Sequence, residues 1–572
     1  MSHLIDGERK IVDDRNKAEL LNRAFADKFS DPTVTVLPQA PDYAVDPLCH
    51  FSVTEDAVRA ILCGIGRHKA CGPDNVSARI VSECADELTV PITKLCRLSL
   101  AQGVFPSVWK RANIVAIHKK GSKTSPFNYR SVSLLPLFSK VLERIVFNSL
   151  YEHVRPVLSE RQHGFMPGRS CATNLATMLH TAWSNIAAGS QTDVIYTDYS
   201  SAFQSVNHTL LLHKLKHSFH ISDKAFDWCE SYLSGRRQRV VVKGKCSEWV
   251  SVPTGTPEGS ILSPILFACF INDLPQNVNT DILMFADDVK MYGRVNSDTD
   301  ANFLQHQLDI LCQWSATWRL TLNAAKCKVL TLTLRRLPVK RAYTIGGIEL
   351  ERVSVMRDLG VLLDEKLTFG DHVDVTVRKA NRALGLLIRS FQTGKHGRPF
   401  DVNMSKSIMC TFNANVRSVL EFCCIVWGGA AKSHMQRLER VQHKFLIWLC
   451  ARCRVTNAPA QYKDLLDYFG MFSLAARREQ QDILFIRNVH RQRIDSPFLL
   501  SKFSLAVPTR LLRNQTQFHV PQARVNTIKN GIFSRIPKLC NTFIDANRDV
   551  DIWGDSQHAF RRALFSHTQG RS

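Results

Sequence analysis

Apolar side chains recur along this chain with two different periods, and these periods predict where helices and strands lie. Residues 17–30, 208–219 and 301–318 carry apolar side chains at helical spacing. Between residues 51 and 275, apolar segments alternate with turns rich in Gly, Pro and Ser. Such alternation is typical of a domain that mixes helices with a sheet, so we expect a mixed α/β core there.

Two short predicted strands carry acidic side chains where the strands end. Residues 192–199 form a β-rich run that ends near Asp198, and residues 281–293 have two apolar arms around Asp287 and Asp288. The second pattern predicts a β-hairpin with both carboxylates at its tip. Neighbouring carboxylates raise each other's pKa, and a divalent ion such as Mg²⁺, which prefers oxygen ligands, relieves that repulsion. A solvated turn without any ligand remains the alternative on these residues alone.

The second half of the chain is predicted to be helical and basic. One apolar stripe at helical spacing runs through residues 373–391, and another runs through residues 432–450. The basic side chains that lie off these stripes are Arg378, Lys379, Arg382, Arg389, Arg437, Arg440 and Lys444. They either solvate the helices or form a cradle for nucleic acid.

Composition and charge narrow the class of protein. The chain has 572 residues, of which 45% are hydrophobic and 22% charged, so it can bury a large core and is neither wholly disordered nor collagen-like. Residues 1–300 carry 33 basic and 31 acidic side chains, whereas residues 301–572 carry 41 and 20. This asymmetry indicates that one part of the molecule binds a polyanion on which another part acts.

The sequence also predicts a soluble intracellular protein. Residues 1–10 are polar and lack the apolar segment of a signal peptide, and no apolar run is long enough to span a bilayer. The 17 cysteines are an odd number without a short-range framework, which is typical of reduced thiols in a cytosolic or nuclear protein.

A series of motifs in a fixed order carries a family resemblance. The three central ones are Asp198–Phe203 (DYSSAF), Gly255–Pro275 (GTPEGSILSPILFACFINDLP) and Phe285–Asp288 (FADD). The others are KACGPDNVSARIVSE (69–83), HKKGS (118–122), NYRSVSLLPLFSKVLERI (128–145), QHGFMPGRS (162–170), LNAAKCKVL (322–330), DLGVLLDEKLTF (358–369) and WGGAAKSHMQRLERVQHKFL (427–446). Together they resemble the reverse transcriptases of non-LTR (LINE-type) retrotransposons, in the jockey-like group.

The resemblance implies an α+β fold, namely a right-hand polymerase of fingers, palm and thumb with an antiparallel palm sheet, followed by a helical basic C-terminal region. The implied segments are an N-terminal helix and linker (1–50), fingers and palm (51–335), a thumb-like helical region (336–450) and a basic C-terminal region (451–572).

The resemblance also implies the site. Asp198, Asp287 and Asp288, with the Tyr199 carbonyl, would hold two Mg²⁺ ions, for which Mn²⁺ is an alternative. The implied nucleotide-binding residues are Lys119, Arg130, Tyr199, Ser201, Ala202, Phe203, Glu258, Gly259 and Lys326. Among these, Lys119 and Arg130 would clamp phosphates, Phe203 would exclude a ribose 2′-hydroxyl, and Lys326 would lie near the pyrophosphate as a general acid.

The chain departs from the family pattern at four positions. It has Glu258 where the family has Gln, Ser201 in place of Lys, Gln204 in place of Asp, and Ser263 in place of Gly. Glu258 is the most serious departure, because it brings a carboxylate close to the expected nucleotide and template strand.

The resemblance therefore predicts an RNA-directed DNA polymerase that copies retrotransposon RNA, with an RNA template, a DNA primer and dNTPs as partners and no membrane. The alternatives are a catalytically inactive remnant that only binds nucleic acid, or a related maturase or viral RNA polymerase; Phe203, Phe285 and Ala286 favour DNA synthesis over the latter two. We further expect that the chain lacks an endonuclease domain and resides in the nucleus or in a cytoplasmic ribonucleoprotein.

Overall fold

The computed structural model describes residues 3–391, 400–454, 459, 461–506, 517–522 and 525–569. Its strands are β1 (Leu4–Asp6), β2 (Arg9–Ile11), β3 (Arg111–His118), β4 (Tyr129–Leu134), β5 (Gln191–Thr197), β6 (Arg237–Val242), β7 (Lys245–Cys246), β8 (Val250–Ser251), β9 (Asp281–Phe285), β10 (Asp288–Val295), β11 (Lys328–Leu332), β12 (Thr344–Ile345), β13 (Ile348–Glu349), β14 (Glu351–Val353), β15 (Val355–Asp358) and β16 (Val361–Asp364).

Helices surround these strands. The first twelve are α1 (Asp14–Ala26), α2 (Glu55–Cys63), α3 (Ala78–Glu83), α4 (Ala85–Gln102), α5 (Leu137–Val154), α6 (Cys171–Ala187), α7 (Ala202–Ser205), α8 (His208–His217), α9 (Asp223–Leu233), α10 (Ser263–Phe270), α11 (Leu274–Asn277) and α12 (Asp298–Thr317). The later ones are α13 (Gly370–Ser390), α14 (Val402–Phe412), α15 (Ser418–Glu421), α16 (Cys424–Trp427), α17 (Lys432–Arg452), α18 (Tyr462–Phe469), α19 (Leu474–His490), α20 (Pro497–Lys502), α21 (Asn526–Lys529), α22 (Ile532–Ala546) and α23 (Gln557–Gln569). The predicted α+β class is confirmed.

The central sheet has the strand order β14–β11–β5–β10–β9. Its neighbours are antiparallel except for β11 and β14, which run parallel. Every residue of β5 is buried, because helices cover both faces: Val194 and Tyr196 join a core with α6, while Ile195 joins the core on the opposite face. The sheet therefore fixes the ends of β5 and of the β9–β10 hairpin with little freedom to move.

A second sheet, with the order β4–β3–β6–β7 and β8 paired to β6, packs against the N-terminal helix. The sequence predicted an amphipathic helix over residues 17–30, and α1 confirms it, although the helix ends at Ala26. Its buried side chains, among them Leu20, Leu21 and Phe25, form a small core with Ile114 and Val240 of the second sheet.

The basic half of the chain is helical from Gly370 onward, as predicted, but residues 328–364 form the strands β11–β16 and depart from that prediction. The apolar stripe of α13 is buried at Val373, Ala380, Leu384 and Leu387. The same hydrophobic core continues from α6 through α13 and α17 to α19, α22 and α23, so helices before and after residue 450 share one interior. Across the described ranges, no helix is both long enough and apolar enough to cross a bilayer.

One predicted surface charge is corrected by the structure. Arg437 was expected to be exposed on α17, but it is half-buried and forms an ion pair with Asp374 of α13. Because α13 and α17 pack side by side, this pair lies between the two helices. Arg378, Lys379, Arg382, Arg389, Arg440 and Lys444 are exposed, as predicted.

Candidate active site

The three predicted acidic residues lie at adjoining strand ends of the central sheet. Asp198 directly follows β5, Asp287 lies in the turn of the β9–β10 hairpin, and Asp288 begins β10. Strands β5 and β10 pair antiparallel with Thr197 opposite Val289. The end of β5 and the start of β10 are therefore neighbours, and the predicted hairpin with Asp287 and Asp288 at its tip is confirmed.

The charges of these carboxylates act on one another. Desolvation raises the pKa of Asp287 and the negative charge of Asp198 raises it further, whereas the positive charges of Arg130 and Lys119 lower it. Desolvation and the charges of Asp287, Asp358 and Asp198 raise the pKa of Asp288 to about 6. This repulsion is the kind that a bound cation relieves.

The donor set suits a hard divalent ion. Within the described ranges, no three acidic, His or Cys side chains converge as a ready-made metal group. Tyr199 faces Leu322 in an isolated antiparallel bridge, in which the Asp198 carbonyl and the Ser200 amide form the hydrogen bonds. The Tyr199 carbonyl points away from that bridge. Two carboxylates and this carbonyl are oxygen ligands of the type that Mg²⁺ accepts, with water and substrate completing its shell.

The predicted role of Tyr199 can involve only its backbone, because its side chain lies in the core. The ring is buried, and its hydroxyl lies 3.2 Å from the Ser315 hydroxyl. Lys326, in contrast, reaches the carboxylates directly: its ammonium donates to Asp198 Oδ2 at 3.0 Å.

Cationic residues face the carboxylates from the second sheet. Arg130 lies in β4, and Lys119 directly follows β3, where its amide donates to the Asn128 carbonyl at 2.9 Å. Both side chains are exposed, and the positive charge of each lowers the pKa of Asp287. The sheet thus places two predicted phosphate ligands opposite the predicted metal ligands.

Phe203 is held by two other aromatic rings. Its ring stacks on Phe267 at 4.5 Å between centroids and meets the edge of Phe165 at 6.3 Å. Ser201, immediately before α7, has a φ of 54°, and Ala202 begins that helix. The Phe203 ring is only half-buried, so one part of it remains available to a substrate.

The loop that contains Glu258 and Gly259 lies along the free edge of β4. The Ser133 amide donates to the Glu258 carbonyl at 2.8 Å, and a Cβ at Gly259 would lie 2.8 Å from the Ser133 carbonyl oxygen. Gly259 has a φ of 109°, which also favours glycine. Three of the four residues that depart from the family pattern, Gln204, Glu258 and Ser263, form side-chain hydrogen bonds. Gln204 donates to Glu258, and the Ser263 hydroxyl donates to the Pro257 carbonyl at 2.8 Å.

The sequence did not identify three residues that support the site, namely Gln162, Gly164 and Glu143. The Gln162 side-chain oxygen accepts hydrogen bonds from the Ala286 amide at 2.9 Å and from the Gly164 amide at 2.8 Å. The wholly buried Glu143 accepts from the Ile261 amide at 2.8 Å, and desolvation raises its pKa. Gln162 and Gly164 lay in a quoted motif, but their contacts with the hairpin are non-local and leave no periodic signal.

Comparison with known proteins agrees with this arrangement. Residues 117–363 match the family described as reverse transcriptase (RNA-dependent DNA polymerase). The chain is 29% identical over 426 residues, covering 71% of it and 44% of the relative, to the RNA-directed DNA polymerase from mobile element jockey of Drosophila melanogaster. It is 28% identical over 408 residues to the protein of the same name from Drosophila funebris, covering 69% and 43%.

A more distant relative is the retrovirus-related Pol polyprotein from type-1 retrotransposable element R1 of Bradysia coprophila. It is 25% identical over 352 residues, which cover 59% of this chain and 33% of that protein. The chain spans less than half the length of these relatives.

Proposed function

We propose that this chain, whose residues 117–363 form a reverse transcriptase domain of the non-LTR retrotransposon type, is an RNA-directed DNA polymerase. The observation that carries the proposal is the placement of Asp198 and Asp287 at adjoining strand ends, where the charges of Lys119 and Arg130 act on Asp287. Carboxylates for metal ions on one side and cations for phosphates on the other are what nucleotidyl transfer requires.

A reverse transcriptase domain implies a right-hand polymerase. In this proposal residues 51–335, which contain the second sheet and strands β5, β9, β10 and β11 of the central sheet, are fingers and palm. Residues 336–450 are the thumb, and they contribute β14 to the central sheet. Residues 1–50 brace the fingers, and residues 451–572 extend the basic surface. An RNA template, a DNA primer and dNTPs are the partners, in the nucleus or in a cytoplasmic ribonucleoprotein.

In the proposed mechanism, Asp198 and Asp287 would hold two divalent ions with the Tyr199 carbonyl, and Asp288 would add negative charge beside them. Such ions, generally Mg²⁺ with Mn²⁺ as an alternative, would supply activation of the primer 3′-hydroxyl and charge stabilisation of the leaving pyrophosphate. Lys119 and Arg130 bind the triphosphate of the incoming nucleotide, because ammonium and guanidinium groups form charge-assisted hydrogen bonds with phosphate.

The remaining residues position the nucleotide. The amides of Ser201 and Ala202 face the triphosphate, and Gly259 lets its loop lie close to β4, because a Cβ there would lie 2.8 Å from the Ser133 carbonyl oxygen. Lys326 Nζ, now bonded to Asp198, donates its proton to the pyrophosphate as it leaves. Glu258 acts through Arg130, whose Nε donates to its carboxylate at 3.3 Å.

Primer extension tests the proposal. An RNA template annealed to a DNA primer is incubated with the chain, dNTPs and Mg²⁺, with Mn²⁺ and metal-free reactions alongside. Extension that requires a divalent ion and dNTPs supports the polymerase. Tight binding of the hybrid without extension under any of these conditions would instead identify the inactive remnant.

Phe203→Val should increase the incorporation of ribonucleotides. The Phe203 ring is fixed between Phe267 and Phe165, so truncation opens space that a 2′-hydroxyl can occupy. We expect discrimination between dNTPs and rNTPs to fall about ten- to two-hundred-fold, the range for one altered pocket contact. Single-nucleotide incorporation measures kcat/KM for both substrates.

Phe147→Val, which removes a ring stacked on Tyr151 in α5, is the control for Phe203→Val and should leave this discrimination unchanged. Unaltered discrimination in Phe203→Val would identify Phe203 as a purely structural aromatic.

Charge removal on α13 should reduce the salt dependence of duplex binding. Arg378 and Arg382 are exposed on the side of α13 that the core does not use. Each phosphate contact contributes a slope of about −0.9 in a plot of log K against log salt, so Arg378→Gln/Arg382→Gln should make the slope shallower by roughly two units. Titration of an RNA–DNA hybrid over a range of salt measures both slopes.

Lys94→Gln/Arg97→Gln on α4 removes the same charge from another exposed helix and serves as the control. Equal slopes for the parent and the α13 variant would show that these arginines only contact water.

A further inference from the structure

Four side chains, Ser131, Gln204, Glu258 and Arg130, form one hydrogen-bonded network that ends at Arg130. Gln204 Nε2 donates to the Ser131 hydroxyl at 2.9 Å and to Glu258 Oε1 at 3.3 Å. The other oxygen of that carboxylate, Oε2, accepts from Arg130 Nε at 3.3 Å. The Gln204 amide thereby uses both of its N–H groups, and the Glu258 carboxylate uses both of its oxygens.

The Glu258 end of this hydrogen-bonded network is held in place, whereas the Arg130 end reaches solvent. The Glu258 side chain is 18% exposed, whereas that of Arg130 is 62% exposed. The backbone beneath is locked by close approach, because a Cβ at Gly255 would lie 2.6 Å from the Gln204 backbone. The Thr256 amide donates to the Phe203 carbonyl at 2.8 Å. Glu258 therefore cannot turn toward a ligand without leaving both partners.

Arg130 is held by a single edge of its guanidinium. Among the described residues, its side chain donates only through Nε, so both Nη groups remain for a ligand. A guanidinium whose Nε is fixed presents a planar pair of donors that matches two phosphate oxygens. Ordering a long side chain before the ligand arrives reduces the entropy lost on binding.

The donor and the acceptor of the Gln204–Glu258 hydrogen bond occupy unexpected positions in this sequence. An amide at position 204 donates to a carboxylate at position 258, which reverses the Asp and Gln that the family resemblance gives for these two positions. Two departures that look independent in the sequence thus belong to one hydrogen bond, and each makes the other acceptable.

We propose that Glu258 is a positioning residue: together with Gln204 it holds the Arg130 guanidinium extended toward the triphosphate of the incoming nucleotide and does not contact the nucleotide itself. The proposal rests on the polymerase function proposed above. It predicts that changes at Glu258 raise KM for dNTPs through Arg130 and change kcat little.

The test compares four proteins: the parent, Gln204→Glu, Glu258→Gln, and the double variant in which the two side chains are exchanged. Gln204→Glu places two half-buried carboxylates in contact, so KM should rise about tenfold or more, by the cost of a lost charge-assisted bond. Glu258→Gln should raise KM severalfold. Adding Glu258→Gln to Gln204→Glu should lower KM again, because an amide then faces a carboxylate once more. Gln313→Glu, an exposed change on α12, controls for added charge.

A second comparison asks whether Glu258 acts through Arg130. In an Arg130→Ala background, Glu258→Gln should raise KM no further. An equal rise with and without Arg130 would mean that Glu258 touches the nucleotide directly, and it would overturn the proposal.

Thermal unfolding of the same proteins separates failure of this proposal from failure of the function. A parent that extends no primer contradicts the polymerase, yet Gln204→Glu should still lower Tm, and the double exchange should restore it. A double exchange with a KM and a Tm no better than those of Gln204→Glu overturns the positioning role even in an active enzyme.

Discussion

Asp198→Ala and Asp287→Ala should each reduce primer extension by at least about a thousandfold, equivalent to roughly 4 kcal/mol of activation free energy. Each change removes a proposed metal ligand from the place where β5 and the β9–β10 hairpin adjoin. Binding of the RNA–DNA hybrid should change little, because we expect the basic helices to supply that affinity. Asp288→Asn should cost less, since the family resemblance implies that the second aspartate of the pair is the more peripheral of the metal ligands.

Single-turnover extension at saturating hybrid and dNTP measures this loss, and filter binding measures affinity in parallel. Asp309→Ala, which removes an exposed carboxylate from α12, is the matched control and should retain full activity. Extension by Asp198→Ala or Asp287→Ala at a tenth of the parent rate would contradict the assignment of metal ligands.

The local pattern of the sequence was enough to predict the hairpin and the helices that surround it. Residues 281–293 alternate around a polar tip, and β9 and β10 form there. The stripe of residues 373–391 became α13, with Val377 and Phe391 only partly buried at its margins. Both features depend on neighbours within one or two turns of chain, which is the range that periodicity reports.

Contacts between distant segments were beyond the reach of the same reasoning. Nothing in residues 14–26 shows that α1 covers the second sheet, and nothing in α17 shows that Asp374 neutralises Arg437. Glu258 illustrates the same limit at the site: as a single residue it looks like an intrusive charge, but beside Gln204 and Arg130 it has two donors. The sequence gives residue identities, whereas this pairing depends on the fold.

The hairpin is also held from outside the central sheet, at a position that only the structure reveals. The Met284 amide donates to the Arg161 carbonyl at 2.9 Å, and the His163 amide donates to the Met284 carbonyl at 2.9 Å. Gln162 binds the Ala286 amide, and Ala286 has a φ of 57°, which is unfavourable for a residue with a Cβ. Residues 161–164 therefore stabilise the strained turn that carries Asp287.

Gly164→Ala should reduce primer extension about a hundredfold while the protein remains folded. The new Cβ would lie 2.3 Å from the Ala286 nitrogen and 2.7 Å from the Phe285 carbonyl carbon, and both are backbone atoms that no rotamer change can move away. The hairpin tip must shift, and a displacement of about 1 Å of a catalytic group costs on the order of a hundredfold in rate. Overpacking should also lower the free energy of unfolding by about 1–3 kcal/mol.

Gly66→Ala is the matched control for this change, because the Cβ added there meets nothing closer than 3.8 Å. Extension rates, hybrid affinity and thermal unfolding are measured for the parent and both variants. Since the carboxylates, Lys119 and Arg130 are all retained in Gly164→Ala, a loss of rate with normal hybrid affinity would locate the defect in the position of Asp287. Parent-like extension by Gly164→Ala would show that the hairpin tolerates the displacement, and that the contact with residues 161–164 is not needed to align the carboxylates.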